Sequence, residues 1–186
     1  MKYETFNPKE HDISKVARFV YDVDFRTFDM LFKTPEAAVK TIAKSLKDED
    51  LETFTVILNE ENEIIGILIY YIDKFPHHLN FKSLRLMIVD ILDYFVLCNV
   101  RPGDLYVAEI AIDESLRGKG FGKKVLYEVI DYARQNNLNR VILDADFRNT
   151  DAKRLYEKIG FKEFNKKRVK FLNFERGMYN MELILD

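Results

Sequence analysis

The chain has 186 residues, enough for one domain with a full core and tight for two. Apolar residues make up 47% and charged residues 32%, and a formal net charge of -2 supplies no global basic field to attract nucleic acid. A single cysteine, Cys98, excludes an internal disulfide and any zinc site built from several cysteines. It stands in an apolar stretch and reads as a buried, inert thiol. The opening Met1-Lys2-Tyr3-Glu4 has no signal-peptide pattern, and Asp90 and Asp93 interrupt the apolar run from Leu84 to Val100, so no membrane span is expected. These absences point to the cytoplasm.

In chain order, Ile13, Val16, Ala17, Val20 and Tyr21 recur at helical spacing, and the pattern continues irregularly through Phe25, Phe28, Leu31 and Phe32. Thr34-Pro35-Glu36 opens another helix, with Thr34 as cap and Pro35 at the first helical position, running to about Leu46. Thr53 to Leu58 and Ile64 to Ile72 read as strands around a hairpin loop, residues 59–63. In the stretch from Asp73 to Gly103, Leu84, Met87, Ile88, Ile91, Leu92 and Phe95 form a helical stripe that Leu86, Val89 and Tyr94 widen. A helix apolar on more than half its circumference is buried deeply or packs against another subunit, so a homodimer is one expectation.

Asp104 to Ile112 reads as a strand that runs straight into a glycine loop. Val125, Leu126, Val129, Ile130 and Ala133 mark the next helix, Val141 to Ala145 a short apolar strand, and Asp151 to Ile159 a helix stopped by Gly160. Phe161 to Val169 and Tyr179 to Leu185 are expected as closing strands. There is no repeat, low-complexity segment or linker, so residues 1–186 read as one α/β or α+β mixed domain around a single sheet.

The loop Arg117-Gly118-Lys119-Gly120-Phe121-Gly122 sits between a strand and a helix. Alternating glycines leave successive backbone N–H groups free to point one way, and the helix N-terminus behind them adds a favourable dipole for an anion. A Cβ at those positions would hold phosphate oxygens away from the backbone. Lys119, Lys123 and Lys124 add positive charge. The triphosphatase loop fits poorly, because Gly122-Lys123 is followed by Lys124 and position 117 is Arg. The dinucleotide fingerprint also fails, because the spacing is G-x-G-x-G. The plainer alternative is a turn that merely caps a helix.

With its surroundings, the loop becomes specific. Arg117-x-x-Gly120-x-Gly122, placed after Ala108-Glu109-Ile110-Ala111-Ile112-Asp113, resembles the acyl-CoA signature of the GNAT superfamily of N-acetyltransferases. A second segment of that family is matched by the run Asn149-Thr150-Asp151-Ala152-Lys153-Arg154-Leu155-Tyr156-Glu157-Lys158-Ile159-Gly160-Phe161. The resemblance covers Tyr106 to Phe161 strongly and leaves out Asp73 to Gly103, which reads as a helical insertion. It implies a mixed, mostly antiparallel sheet, flanked by helices and splayed between its fourth and fifth strands, here Tyr106 to Ile112 and Val141 to Ala145. It further implies that Ile110, Ala111 and Ile112 meet the pantetheine arm of acetyl-CoA. The amides of Arg117, Gly118, Lys119, Gly120, Phe121, Gly122 and Lys123 would hold the pyrophosphate, and Asn149 would reach the cofactor from the other wall.

Acyl transfer from a thioester to an amine needs a base for the amine, a donor for the oxyanion and, helpfully, a proton for the leaving thiolate. Glu109 is the first candidate base, acting through water, with Asp144 and Asp146 as rivals. Its plain alternative is an exposed or ion-paired strand carboxylate. A backbone N–H near Ile110 to Ile112 is the natural oxyanion donor, and Tyr156, also a cofactor-binding candidate by its family position, is the candidate acid. The plain reading of Tyr156 is a core residue beside Ala152 and Ile159.

Weaker signals are His77-His78, with no third ligand at suggestive spacing, so no metal is expected. Tyr21, Phe25 and Phe28 with Asp22, Asp24 and Asp29 suggest either a wall for a cationic amine or simply core plus a solvated face. Lys166-Lys167-Arg168 and Lys170 form a short basic run, but near-neutral overall charge argues against nucleic acid. The expected activity is acetylation of a primary amine on a small molecule or peptide, without metal. The alternative is an acyl-CoA-binding or sensing module without turnover.

Overall fold

The computed structural model describes residues 1–47, 53–73, 87, 88, 91, 94–171 and 174–186. The expected His77-His78 pair and, in the insertion, Leu84, Leu86, Val89 and Leu92 lie outside the described residues. Strands β1 (Lys2–Thr5), β2 (Phe54–Leu58), β3 (Ile64–Ile72), β4 (Asp104–Ile112), β5 (Arg140–Asp146), β6 (Lys162–Phe171) and β7 (Phe174–Ile184) form one sheet in the order β1-β2-β3-β4-β5-β7-β6. The helices are α1 (Ile13–Val23), α2 (Phe25–Leu31), α3 (Pro35–Ser45), α4 (Phe121–Gln135) and α5 (Thr150–Ile159). Among the described residues, no helix is long and apolar enough to cross a membrane.

Strand pairing is antiparallel for β1–β2, β2–β3, β5–β7 and β6–β7, and parallel for β4–β5. The mixed, mostly antiparallel expectation is met. Contacts group the chain into two units. The first is principally Met1–Tyr70 with Glu109–Gly122, and the second principally Asp90–Ala108 with Lys123–Asp186.

In the first unit, α1 opens on Asp12, whose Oδ1 accepts from Ser14 N at 2.9 Å and Lys15 N at 3.1 Å. Thr34 caps α3 by accepting from Ala37 N at 3.2 Å, with Pro35 at the start, as the sequence implies. Val16 and Ala17 of α1, Ala38 and Ile42 of α3, and Val56, Ile57 and Ile67 of β2 and β3 are buried. The irregular apolar pattern after Tyr21 is a break between α1 and α2. The strand β1, which sequence patterning does not show, exists because its backbone pairs with β2, Lys2 opposite Leu58 through Thr5 opposite Thr55.

In the second unit, Val125, Leu126, Val129, Ile130 and Ala133 form the buried stripe of α4. Leu105, Tyr106, Ile142, Leu143 and Met181 complete the buried set on β4, β5 and β7. The α5 helix stops at Gly160, which takes φ +117°, a left-handed C-terminus that glycine adopts without strain. Asp104 at the start of β4 is 2% exposed and receives Arg140 Nε at 2.6 Å and Nη2 at 2.9 Å. The registered β4–β5 pairing runs from Asp104 opposite Arg140 to Val107 opposite Leu143 and ends there. Residues 87, 88, 91 and 94–96 are helical, as the insertion stripe implies. Ile91, Tyr94 and Phe95 are nevertheless 40%, 61% and 56% exposed in this chain, so deep burial of that stripe does not hold for them.

Candidate active site

The glycine loop belongs to the first unit. After β4, Asp113 caps a short 3-10 turn (Glu114–Leu116) through its Oδ1, which accepts from Ser115 N at 2.9 Å and Ser115 Oγ at 2.6 Å. Arg117 closes that turn, its N–H donating to Glu114 O at 3.1 Å. Gly118 and Gly120 then take φ +75° and +84°, and a Cβ built on Gly118, Gly120 or Gly122 would meet no atom within 4 Å. The glycines therefore line open space, and two of them hold a conformation that L side chains rarely adopt. Phe121 and Gly122 begin α4, whose first-turn amides have no intrahelical acceptor. Backbone donors, a helix N-terminus and clearance for bulky oxygens are what a pyrophosphate needs, so these residues fit the group.

The strand that feeds the loop changes character along its length. Residues Asp104–Val107 are buried, whereas Ala108–Ile112 are half-buried. Ile110, Ala111 and Ile112 thus present partly uncovered apolar strand before the loop. Glu109 is half-buried on the same strand, with its Oε2 shielded from solvent. Gly66 of β3 is a site residue that the sequence reading passed over. A Cβ there would stand 2.4 Å from Ala111 O and 2.9 Å from Ile112 Cδ1, and Asp113 N donates to Ile65 O at 2.9 Å. A lone glycine inside an apolar strand pattern was the available signal for this close backbone approach.

Lys123, Asn149, Tyr156, Asp144 and Asp146 belong to the second unit. Lys123 Nζ lies 5.5 Å from the Tyr127 ring centroid. Asn149 caps α5, its Oδ1 accepting from Ala152 N at 3.1 Å, which leaves its amide nitrogen as the group for a ligand. Tyr156 is half-buried, with its ring 6.1 Å from that of Phe161. Burial first, and the nearby Asp144 carboxylate second, push its hydroxyl up to about 12. It is therefore a neutral donor at any physiological pH.

The two rival carboxylates differ from one another. Asp146 is held by Arg148, with Nε to Oδ1 at 2.8 Å and Nη2 to Oδ2 at 2.5 Å. Burial alone would raise its pKa, but the Arg148 hydrogen bonds and charge outweigh burial and hold it below the ordinary carboxylate range. Asp144 is raised by burial, while four donors oppose that shift. Its Oδ2 accepts from Cys98 N at 2.9 Å and Tyr106 Oη at 2.8 Å. Its Oδ1 accepts from Cys98 Sγ at 3.2 Å and from Asn180 Nδ2. Burial together with this carboxylate pushes the Cys98 thiol well above its usual range, in keeping with an inert thiol.

Of the three aromatic residues expected to wall a cationic amine, Phe25 is 41% exposed and the other two are buried. Tyr21 and Phe28 are 4% and 5% exposed, and their rings stack at 5.9 Å. Asp29 accepts from Tyr21 Oη at 2.6 Å, Asp24 from Thr27 Oγ1 at 2.9 Å and Asp22 from Arg18 Nε at 3.0 Å. Three of the four cations in the basic run of β6 are paired within the chain. Lys167 donates to Leu97 O and Asn99 Oδ1, Arg168 pairs with Glu175, and Lys166 with Glu163.

Comparison with known proteins bears on the family and the fold. The uncharacterized N-acetyltransferase YvbK of Bacillus subtilis (strain 168) is 31% identical over 68 residues, 37% of this chain and 44% of that protein. The matched segment thus spans less than half of that relative's length. Among solved structures, an N-acetyltransferase from Staphylococcus aureus Mu50 superposes with a TM-score of 0.66 at 18% identity, covering 98% of this chain and 100% of that one. A structure described only as an acetyltransferase gives a TM-score of 0.64 at 20% identity, covering 100% of both chains. At such identities the likeness is one of fold. The model of the acetyltransferase (GNAT) family matches residues 18–161, a span that includes β4, the glycine loop and α5. The chain belongs to the acetyltransferase (GNAT) family.

Proposed function

We propose that this chain transfers the acetyl group of acetyl-CoA to a primary amine of a small molecule or peptide, by direct attack through a ternary complex. The observation that carries the reading is the loop at residues 118–122, in which two glycines at positive φ and a third face open space between a strand end and a helix start. The family uses acetyl-CoA, which supplies the thioester. In this proposal the amides from Arg117 to Lys123 hold the pyrophosphate. The backbone of the half-buried Ile110, Ala111 and Ile112 binds the pantetheine arm and offers an oxyanion donor. The amide nitrogen of Asn149 adds a contact from α5.

Glu109 is the proposed base, taking the amine proton through water. Asp146 is a poorer choice because Arg148 holds it ionised and occupied. Tyr156 is the proposed donor to the departing sulfur. A hydroxyl near 12 is a weaker acid than a thiol near 8.5, so complete transfer runs uphill by something on the order of 5 kcal/mol. Tyr156 therefore works by a hydrogen bond to the sulfur, and solvent delivers the final proton.

Proteins of the same fold are named for spermidine and for ribosomal-protein-S18-alanine, and these guide the choice of acceptors. Thermal unfolding with acetyl-CoA, followed by thiol release in the presence of spermidine, an alanine-initiated peptide or a lysine-containing peptide, tests the proposal. A shift with thiol release supports it. A shift without release from any amine favours the alternative of a binding module, and no shift up to millimolar acetyl-CoA refutes both.

A further inference from the structure

The β4–β5 pairing stops at Val107 opposite Leu143, so Ala108 and Asp144 are the first residues past the last registered pair. Cys98 sits at that point. It packs in one cluster with Tyr106, Ile142 and Ala108, and its thiol reaches Leu143 O at 3.4 Å and Asp144 Oδ1 at 3.2 Å. The backbone on either side of Cys98 is pinned across the sheet by one polar side chain from each of three neighbouring strands. From β5, Asp144 accepts from Cys98 N at 2.9 Å. From β7, Asn180, which is 0% exposed and stands opposite Asp144, donates to Val96 O at 3.1 Å. From β6, Lys167 donates to Leu97 O at 2.6 Å and Asn99 Oδ1 at 2.9 Å.

Isolated side chain to backbone contacts are common, but here three act on three consecutive residues, Val96 to Cys98, and Lys167 also reaches the Asn99 side chain. Asn180 is buried and Asp144 half-buried, where an unmatched partner is costly. The strap also bears on chemistry-bearing neighbours. Ala108 precedes Glu109 directly on β4, and the Asp144 carboxylate lies close enough to Tyr156 to affect its hydroxyl. A carboxylate that already accepts four hydrogen bonds has little capacity left to take a proton from an amine.

We propose that the Val96–Asn99 strap is a wedge at the point where the registered β4–β5 pairing ends, and that Asp144, Asn180 and Lys167 are positioning residues for acetyl transfer which act by seating it. This rests on the acetyltransferase reading above. Asp144 is then not the base. Its carboxylate fixes where Ala108 sits, and through the chain the strand end that carries Glu109. Displacing a reacting group by a fraction of an ångström is enough to slow chemistry strongly while remote binding contacts persist.

The test uses the full chain carrying Asp144→Asn, Lys167→Met or Lys167→Arg. Readouts are amide hydrogen exchange at Cys98, kcat and its pH profile with the best acceptor among spermidine and the two peptides, and the acetyl-CoA thermal shift. Asp144→Asn should speed Cys98 exchange and lower kcat, each by about tenfold or more. It should keep the acid limb of the pH profile in place and leave acetyl-CoA affinity within about twofold. Lys167→Met should move exchange and kcat the same way by a smaller factor, and Lys167→Arg should behave as the parent. Lys167 lies on an edge strand, so its variants report even if Asp144→Asn does not fold. Loss of the acid limb in Asp144→Asn would make Asp144 the base and overturn the proposal. So would faster exchange with unchanged kcat in both variants, or unchanged exchange in both. If the parent protein neither binds acetyl-CoA nor releases thiol, the acetyltransferase reading fails, while exchange at Cys98 still decides whether the pins seat the strap.

Discussion

Gly120→Val separates what the fold requires of the loop from what the ligand requires. Gly120 has φ +84°, and nothing stands within 4 Å of a Cβ placed on it. A valine therefore strikes no atom in the free protein. The cost is local backbone strain, about 1–2 kcal/mol for an L-residue held in the left-handed region. For a chain of 186 residues each kcal/mol moves the melting temperature about 2–4 °C, so the variant should melt roughly 2–8 °C below the parent. Acetyl-CoA at about one hundred times its dissociation constant stabilises the parent by about 2.7 kcal/mol, or roughly 5–11 °C. In the variant the isopropyl group fills the open space where the phosphate oxygens should sit, so that ligand shift should vanish although the protein folds. Gly120→Ala carries similar strain with less obstruction and should fall between the two. The assay is thermal unfolding across an acetyl-CoA titration for all three proteins. A full ligand shift in Gly120→Val would place the pyrophosphate elsewhere and remove the loop from the proposed site.

Tyr156→Phe keeps the ring against Phe161 and removes the donor; turnover should fall roughly tenfold to a hundredfold with acetyl-CoA affinity unchanged, and unchanged turnover where chemistry limits the rate would make Tyr156 a packing residue. Glu109→Gln should lower kcat by about a hundredfold or more and abolish the acid limb of the rate profile, whereas Asp146→Asn should keep that limb, because Arg148 already occupies Asp146. The reverse pattern, read from pH–rate profiles of both variants, would move the base to β5. Gly66→Ala places a methyl 2.4 Å from Ala111 O, so β3 and β4 must separate locally, at a cost of about 1–3 kcal/mol. Calorimetric titration should show acetyl-CoA affinity reduced about tenfold, since the displaced strand includes Ile110 to Ile112, and an unchanged affinity would take that strand end out of the cofactor site.

Most elements were legible because they carry their own period or punctuation. Val125, Leu126, Val129, Ile130 and Ala133 all face the core of α4, and Thr34-Pro35 and Gly160 mark helix ends by backbone chemistry that needs no tertiary context. The elements that were missed or misread lack such marks. The β1 strand has four residues, Lys2–Thr5, with an exposed and half-buried pattern, and only its pairing with β2 makes it a strand. The insertion stripe reads as deeply buried or packed against another subunit, and Tyr94 and Phe95 are exposed in this chain while Val96 and Cys98 just after them are buried. Hydrophobic spacing says that a face is apolar, not what covers it.

The site divides along the same line. The glycine loop was legible because positive φ and clearance for a ligand are properties of glycine itself, and Gly118 and Gly120 show both. Asp144 was not, because its role is set by partners that lie far off in sequence. Asp144 is hydrogen-bonded by Cys98, Tyr106 and Asn180, at separations of 46, 38 and 36 residues, whereas Asp146 is neutralised by Arg148 two residues on. Lys167 shows the same limit from the opposite sign. In sequence it stands in a basic run that suggests an anionic partner, but its ammonium donates to Leu97 O, seventy residues away. One charged group thus acts as a structural pin and another as a closed ion pair. The pin follows from neither composition nor spacing, because it depends on which strands the sheet order places side by side, β5 beside β7 and β7 beside β6. The same reasoning leaves Glu109 as the carboxylate to test first, since it stands on the half-buried length of β4 that runs into the loop.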